Sequence, residues 1–580
     1  MKNINPEESK TRHRSFLETL ALYTIFFLIS EFFIVRPLMK RLVNRQIEKK
    51  QEIEKQNNSQ NTADNFSEDG GTSSHEEQKY VVLENDYIRL VLNARGLLFN
   101  DLVLKKYTDA GENVRLLGPD EFVSVGWISS AGDTKIPNNS TLWTIENKPS
   151  AEDSANSNEI TLSYDNGSSI KFKILLALDE KYLINVKQIV ENNLDGKILL
   201  RPLWQIRKND IKAKNRNDLF SFRGGLGVFD DKIYEVKTKK LKNNSKEFLK
   251  PRWAGITDKY WLVAIIGDST DKEKVNFMGE ENALELHYTT TKNMEISENS
   301  VASVDSKIFV GAKDLEILRE YSNSKNIKLL DRSIDFGIFY FLAKPMNDLL
   351  NFLYKVTKNF GLSIIILTVI VKIILYPTVK KSFVTIALMK EVQPKIKILQ
   401  NAYGSDSTKF REELVKLYKK YNLNPLASIV PIFIQIPIFF SLYKIISVSL
   451  NMRQAPLFWF IRDLSAADPS NILNFFGLLP YNTNFKIGLL PCIMAITMYF
   501  QQKLQSNLET TEKSGAKDKT RDILAENAGV AKFMPLIFLF MFASFPSGLL
   551  LYWIFNNIIT IVQQYYVVNI YIKKHRKIYE

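Results

Sequence analysis

Lys372 stands inside Gly361 to Pro377, GLSIIILTVIVKIILYP, a run that is otherwise apolar. A lysine at the centre of a membrane-spanning helix costs about 2.5–3.5 kcal/mol, so it needs a partner, a watery cavity or an exit to the interface. Thr368 lies four positions earlier, hence on the same helix face. Two readings are open: a site inside the membrane, or snorkelling, since the chain should break at Pro377, roughly 7 Å further on and within reach of a lysine stem. Further polar residues recur in the other apolar runs. Tyr552/Trp553, Asn556/Asn557, Thr560 and Gln563/Gln564 form a stripe at helical spacing, Gln435 lies mid-run, and Thr497 pairs with Gln501. An unpaired amide in hydrocarbon costs several kcal/mol, so such stripes face one another or water. Interhelical bonding and a shared wet groove both satisfy that requirement. Enzyme chemistry has no comparable support: the four histidines fall into no catalytic motif, Cys492 is the single cysteine, and no nucleotide, metal or cofactor motif is present.

The elements that position these residues fall into two regimes. Mean hydropathy is −0.13 and 24% of residues are charged, but apolar residues concentrate at the start and in the last third. The net charge of +14 comes with no nucleic-acid-binding signature, and Lys/Arg cluster beside apolar runs as membrane topology requires. Residues 1–43 read as a cytoplasmic N-terminus and an uncleaved signal anchor, Phe16 to Leu38, in which Glu31 has no account. Residues 44–78 are Gln-, Asn-, Ser- and Gly-rich and read as a flexible linker. Residues 79–333 carry short β-rich runs bounded by turns, with Asp165-Asn166-Gly167 as a hairpin signal, and imply an all-β sandwich. Arg223-Gly224-Gly225-Leu226-Gly227 lacks the features of a phosphate loop and reads as a turn.

Residues 334–580 return to membrane signals. Met346, Leu349, Leu350, Leu353 and Val356 mark an amphipathic interfacial helix. Residues 378–424 carry two apolar stripes, Met389/Val392/Ile396/Leu399 and Phe410/Leu414/Leu417/Tyr421, joined by a short turn, with ten Lys/Arg against four acids; they read as a cytoplasmic helical hairpin. Further spans are expected at Ala427 to Val448, Ile487 to Phe500 and, split by Phe545-Pro546-Ser547-Gly548, Phe533 to Val568. The fold class is thus a polytopic α-helical membrane protein of six spans, with a large periplasmic sandwich, a cytoplasmic hairpin and both termini cytoplasmic. An ion-coupled transporter or a membrane-anchored periplasmic binding protein are alternatives. No inverted repeat or paired intramembrane carboxylate supports the first, and six spans exceed an anchor's needs.

Tyr376-Pro377, Gln393-Pro394-Lys395, Asn424-Pro425-Leu426, Gln435-Ile436-Pro437-Ile438-Phe439, Arg453-Gln454-Ala455-Pro456, Asp463-Leu464-Ser465-Ala466-Ala467-Asp468-Pro469 and Phe545-Pro546-Ser547-Gly548 occur in that order. This series, spread along the last third of a chain of matching organisation, resembles the YidC membrane protein insertases of Gram-negative bacteria. The resemblance implies an inner-membrane protein with a periplasmic sandwich on five core helices, which enclose a hydrophilic groove open to the cytoplasm and to lipid. It implies that nascent membrane proteins are the clients, with the Sec translocon and the ribosome as partners and no direct nucleic-acid recognition. Lys372 matches the position of the family's groove arginine, and Thr368, Gln435, Tyr552 and Trp553 match other groove positions; Asn556 and Asn557 extend that stripe. Ile436, Phe439, Met541 and Phe542 match the slide that apolar client segments touch. Lysine keeps the charge but not the planar fork, and Trp553, standing for a usual tyrosine, keeps a donor and loses an acceptor.

The topology has a direct test. In a Cys492→Ser background, Ser405→Cys is expected to be shielded from a membrane-impermeant thiol reagent added outside cells with a permeabilised outer membrane, and Ser470→Cys to react. Labelling of Ser405→Cys from outside overturns the orientation.

Overall fold

The computed structural model describes residues 80–568 except 110, 119, 131–133, 148–157, 210–221, 239–240, 242–243, 269–271, 281–282, 404–405, 422, 425–429, 458–460, 473–486 and 510–533. The expected signal anchor, linker and basic tail lie outside the described residues.

Strict alternation builds the first half of the structure. In Ile198–Asn209 every second side chain points inward, from Ile198 through Trp204 to Lys208, while the residues between are partly exposed. A ten-stranded sheet runs Tyr80–Glu84, Ile88–Asn93, Leu98–Asp109, Phe122–Ser129, Ile198–Asn209, Ala283–Thr290, Glu273–Gly279, Ser245–Leu249, with Glu112–Leu117 and Met294–Ile296 attached at its side. A nine-stranded sheet runs Lys232–Val236, Gly224–Phe229, Pro251–Thr257, Trp261–Gly267, Ser300–Ala312, Leu183–Asn192, Ile170–Leu178, Glu159–Asp165, Thr144–Asn147. Large rings fill the core between them: Trp127 lies 4.9 Å from Phe172 and 6.2 Å from Trp143, and Trp204 meets Tyr288 edge-on at 5.7 Å. Asp165-Asn166-Gly167 does turn the chain into Ile170–Leu178, with Gly167 at φ +73° and Asn166 Oδ1 accepting from the backbone of Ser168 and Ile170.

The glycine-rich segment departs from the sequence reading. It is a fully buried strand, Gly224–Phe229, and not a turn. A Cβ at Gly225 would lie 2.5 Å from the Phe277 ring, and one at Gly227 would lie 2.7 Å from the Phe229 ring. The glycines are there because the Phe277 ring presses on the strand from the facing sheet and the strand's own Phe229 ring folds back over Gly227, a requirement that turn propensity cannot reveal.

Helices follow the sandwich. Helix α1, Leu315–Ser324, is capped by the Asp314 carboxylate, which accepts from the Glu316 and Ile317 amides. Helix α2, Tyr340–Thr357, buries Met346, Leu350 and Leu353 as its stripe requires, but the buried face also takes Asn347, while Val356 is 71% exposed. Helix α3, Phe360–Tyr403, contains both Pro377 and Pro394 and runs unbroken through them, contrary to the expected break at Pro377. A proline forfeits one intrahelical bond, and membrane helices tolerate that loss where neighbours compensate. The first arm of the hairpin is therefore the continuation of the Lys372 helix. Helix α4, Ser407–Lys420, folds back along it, with Lys395 Nζ donating to Tyr421 Oη just beyond its end. Next come α5, Val430–Val448, α6, Leu489–Glu509, α7, residues 534–542, and α8, Ser547–Tyr565. Among the described residues, Phe360–Met389 is the one stretch long and apolar enough to cross a membrane, and Phe433–Val448 is a shorter apolar helix.

Two of the short motifs meet in space. Ser547 and Gly548 amides donate to the carbonyls of Ala466 (2.7 Å) and Leu464 (2.9 Å), so the loop at 463–469 grips the start of α8. The Asp468 carboxylate also accepts from the Leu490 amide at 2.7 Å, capping α6. Sandwich and helices are tied by Tyr260 Oη donating to Ser447 O (3.2 Å), Arg453 Nη2 donating to Thr108 O (2.6 Å) and the Lys444–Asp335 ion pair (2.5 Å).

Overpacking of a filled core costs about 1–3 kcal/mol. Gly225→Ala is accordingly expected to lower the melting midpoint of the sandwich by several degrees, measured on the detergent-solubilised chain. An unchanged midpoint would show that the Phe277 ring does not confine this strand.

Candidate functional site

Lys372 sits on α3, and its side chain does not run to the helix end. The residue is 7% exposed, and its ammonium donates to Thr560 Oγ1 on α8 at 2.8 Å. The stem instead runs sideways, across the α3–α8 contact. Thr560 in turn donates to Asn556 O at 2.6 Å, and Gln563 Nε2 donates to Lys372 O at 3.3 Å. The helical stripe explains why these three converge, because 556, 560 and 563 recur on one face of α8. No carboxylate pairs with Lys372 among the described residues. Thr368 is 1% exposed and returns its hydroxyl to Ile364 O on its own helix at 2.7 Å, so it lines the same side of α3 without touching the ammonium.

A second polar contact lies nearer the start of α8. Gln435 Nε2 on α5 donates to Tyr552 Oη, which is almost fully buried. Asn557 Nδ2 donates to Thr497 Oγ1 on α6 at 3.2 Å, and Thr497 itself donates to Met494 O at 2.8 Å. Thr497 thus bonds across to α8 and not to Gln501, one turn on along its own helix. Asn556 Oδ1, Gln563 Oε1 and Gln564 Nε2 are buried and make no hydrogen bond among the described residues.

Tyr552 and Trp553 are adjacent and face different surroundings. Trp553 leaves the polar set and meets Phe439 edge-on at 4.9 Å, Phe542 at 5.2 Å and Phe538 at 6.3 Å. Met541 packs on the same core. Phe542 is only 4% exposed, whereas Ile436 is 44% exposed. With Phe433 and Phe440, also exposed, Ile436 forms an apolar ridge along α5. Sequence reasoning did not place Phe433, Phe440 or Phe538 in the site; i, i+3 and i+7 spacing of large apolar residues on α5 was the available signal for the first two.

Two family descriptions match the chain in succession: "YidC periplasmic domain" over residues 80–349 and "60Kd inner membrane protein" over residues 352–575. A protein of Rickettsia prowazekii named Membrane protein insertase YidC is 36% identical over 556 residues, covering 93% of this chain and 95% of that protein. One of the same name from Rickettsia conorii is 37% identical over 506 residues, covering 84% and 87%. A solved structure titled as an active YidC insertase with its first transmembrane domain resolved aligns over 85% of this chain and 93% of its own, at 18% identity and a TM-score of 0.33. Matching family descriptions from residue 80 to residue 575, with relatives at this identity over nearly their whole length, place the chain in the YidC family of membrane protein insertases.

Proposed function

We infer that this membrane protein insertase receives the hydrophilic outer segment of a nascent client in a wet, positively charged groove between α3, α5, α6 and α8. The observation that carries this reading is Lys372: a buried ammonium held by one hydroxyl, with no carboxylate partner among the described residues. Burying a cation without a counter-charge is costly, and water or a visiting anion offsets that cost. The unpaired atoms of Asn556, Gln563 and Gln564 favour hydration too, since a buried polar group left unsatisfied costs about 1–3 kcal/mol. Lys372, Thr368, Gln435, Tyr552, Asn556 and Asn557 line the groove. Trp553 stands at its border with the slide, formed by Ile436, Phe439, Met541 and Phe542.

The steps are physical. A client's outer segment is expensive in lipid; a groove reaching partway across shortens the hydrocarbon that segment must cross. At about 4 Å and an effective dielectric of about 20, the ammonium attracts a client carboxylate by about 4 kcal/mol before desolvation is charged against it. The client's apolar segment then moves along the α5 ridge into lipid, releasing about 25 cal/mol per Å² of apolar area withdrawn from water. We place residues 1–43 and 334–580 in the inner membrane as six spans with both termini cytoplasmic, residues 44–78 as a linker and residues 79–333 outside as the sandwich. The hairpin over 378–424 then lies in the cytoplasm as the capture device. The Sec translocon and the ribosome are the proposed partners, the latter contacting the basic tail.

Charge and shape at position 372 separate this reading from simple packing. Lys372→Arg is expected to retain insertion, while Lys372→Glu impairs clients with acidic outer tails most, as measured by protease protection of pulse-labelled clients at equal insertase level. Equal insertion of all clients by the Glu variant sinks the idea.

Hydration of the groove is tested at Thr560. In a wet groove, water replaces the lost hydroxyl, so Thr560→Val shifts the stability of the detergent-solubilised chain by less than about 1 kcal/mol. In a dry interface the same change strips a charged group of its hydrogen bond, at a cost of about 1.5–3 kcal/mol. A loss in that larger range identifies the contact as dry helix packing.

A further inference from the structure

A cavity of about 380 Å³ opens where the sandwich meets the start of α2, walled by Leu226, Ile233, Glu235, Lys313, Arg332 and Ile338 among others. We propose that this cavity binds the headgroup of an aminophospholipid, with Arg332 taking the phosphodiester and Glu235 the primary ammonium. Its charged groups divide into engaged and available ones. Lys313 at the floor already donates to Thr257 Oγ1 (3.0 Å), Asp258 O (2.6 Å) and Ser333 O (3.4 Å), and Asp335 is held by Lys444 at 2.5 Å. The Arg332 guanidinium carbon lies over the Tyr340 ring, 3.4 Å from its centroid; neither Arg332 nor Glu235 has an ion-pair partner among the described residues. Arg332 and Glu235 are both exposed at the cavity rim; partial desolvation and the neighbouring Asp335 hold the Glu235 carboxyl above its ordinary value against the opposing pull of Lys444 and Lys237.

Depth argues for a lipid and against a free solute. Asp335 is tied to α5 through Lys444, and Phe339 stacks on Phe440 of α5 with ring centroids 6.4 Å apart. The cavity mouth is therefore level with the outward half of an apolar helix. Ile338 at the mouth is 88% exposed, and Phe341, in the first turn of α2, is 74% exposed, a surface that suits acyl chains and not water. A planar guanidinium matches two phosphate oxygens, and a carboxylate lining the same cavity selects a headgroup with a hydrogen-bonding ammonium over one with hydroxyls alone. The site lies apart from the Lys372 groove but rests on the reading of α5 as a membrane helix.

The test is native mass spectrometry of the purified full chain exposed to equimolar phosphatidylethanolamine and phosphatidylglycerol. One phosphatidylethanolamine is expected to be retained roughly tenfold more than phosphatidylglycerol, the scale of one charge-assisted hydrogen bond. Glu235→Gln erases that preference, and Arg332→Gln lowers retention of both lipids roughly tenfold. Retention unaffected by either substitution, or a wild-type preference for phosphatidylglycerol, overturns the proposal; should Arg332→Gln not fold, Glu235→Gln decides alone. Alkaline extraction of membranes and client insertion by the same variants separate the two readings: a chain that stays membrane-integral and inserts clients, yet shows no headgroup selectivity, refutes the lipid site and leaves the insertase reading intact.

Discussion

A cation surrounded by apolar helices constrains everything near it. The ammonium of Lys372 must keep a polar partner, and it finds Thr560 across the α3–α8 contact. That bond joins the polar face of α8 to α3, and the stripe spacing carries Asn556 and Gln563 to the same place. Gln435 with Tyr552 and Asn557 with Thr497 repeat the arrangement against α5 and α6. Each contact satisfies a group that lipid could not, so the polar residues hold the helices together and, in the proposed mechanism, supply the surface a client meets.

The step from polar seam to apolar ridge occurs within two residues. Tyr552 points its hydroxyl at Gln435, and Trp553 points its ring at Phe439, Phe538 and Phe542. Successive helix positions diverge by about 100°, which is enough to place one side chain in a polar seam and the next in an apolar ridge. In the proposed mechanism, a client crossing from one to the other follows a gradient of polarity between adjacent faces.

The starts of α6 and α8 are braced by backbone bonds. Ala466 and Leu464 carbonyls hold the start of α8, Asp468 caps α6, and Tyr260 and Arg453 tie the sandwich to the same region. Brackets made of main-chain and capping bonds tolerate little sliding, so the helices that form the site meet this end as a fixed frame.

Local pattern alone was enough for the two regimes of the chain, the strands with clear alternation, the Asp165-Asn166-Gly167 turn and the polar stripe of α8, because each is a matter of spacing along one element. Lys372 was legible as an anomaly for the same reason: one charge in an apolar run has few explanations. What it bonds to was not legible, since Thr560 is 188 positions away and its rotamer depends on how α3 and α8 cross. The continuity of α3 through Pro377 and Pro394 was hidden as well, because local propensity breaks a helix where tertiary neighbours can hold it. Gly224–Phe229 reads as a turn in the sequence because Gly225 answers to the ring of Phe277, a contact that exists only once two sheets are stacked. Periodicity thus determined which residues share a face, and packing decided which faces meet, because the bonds that settle the second question join residues that chain order keeps far apart.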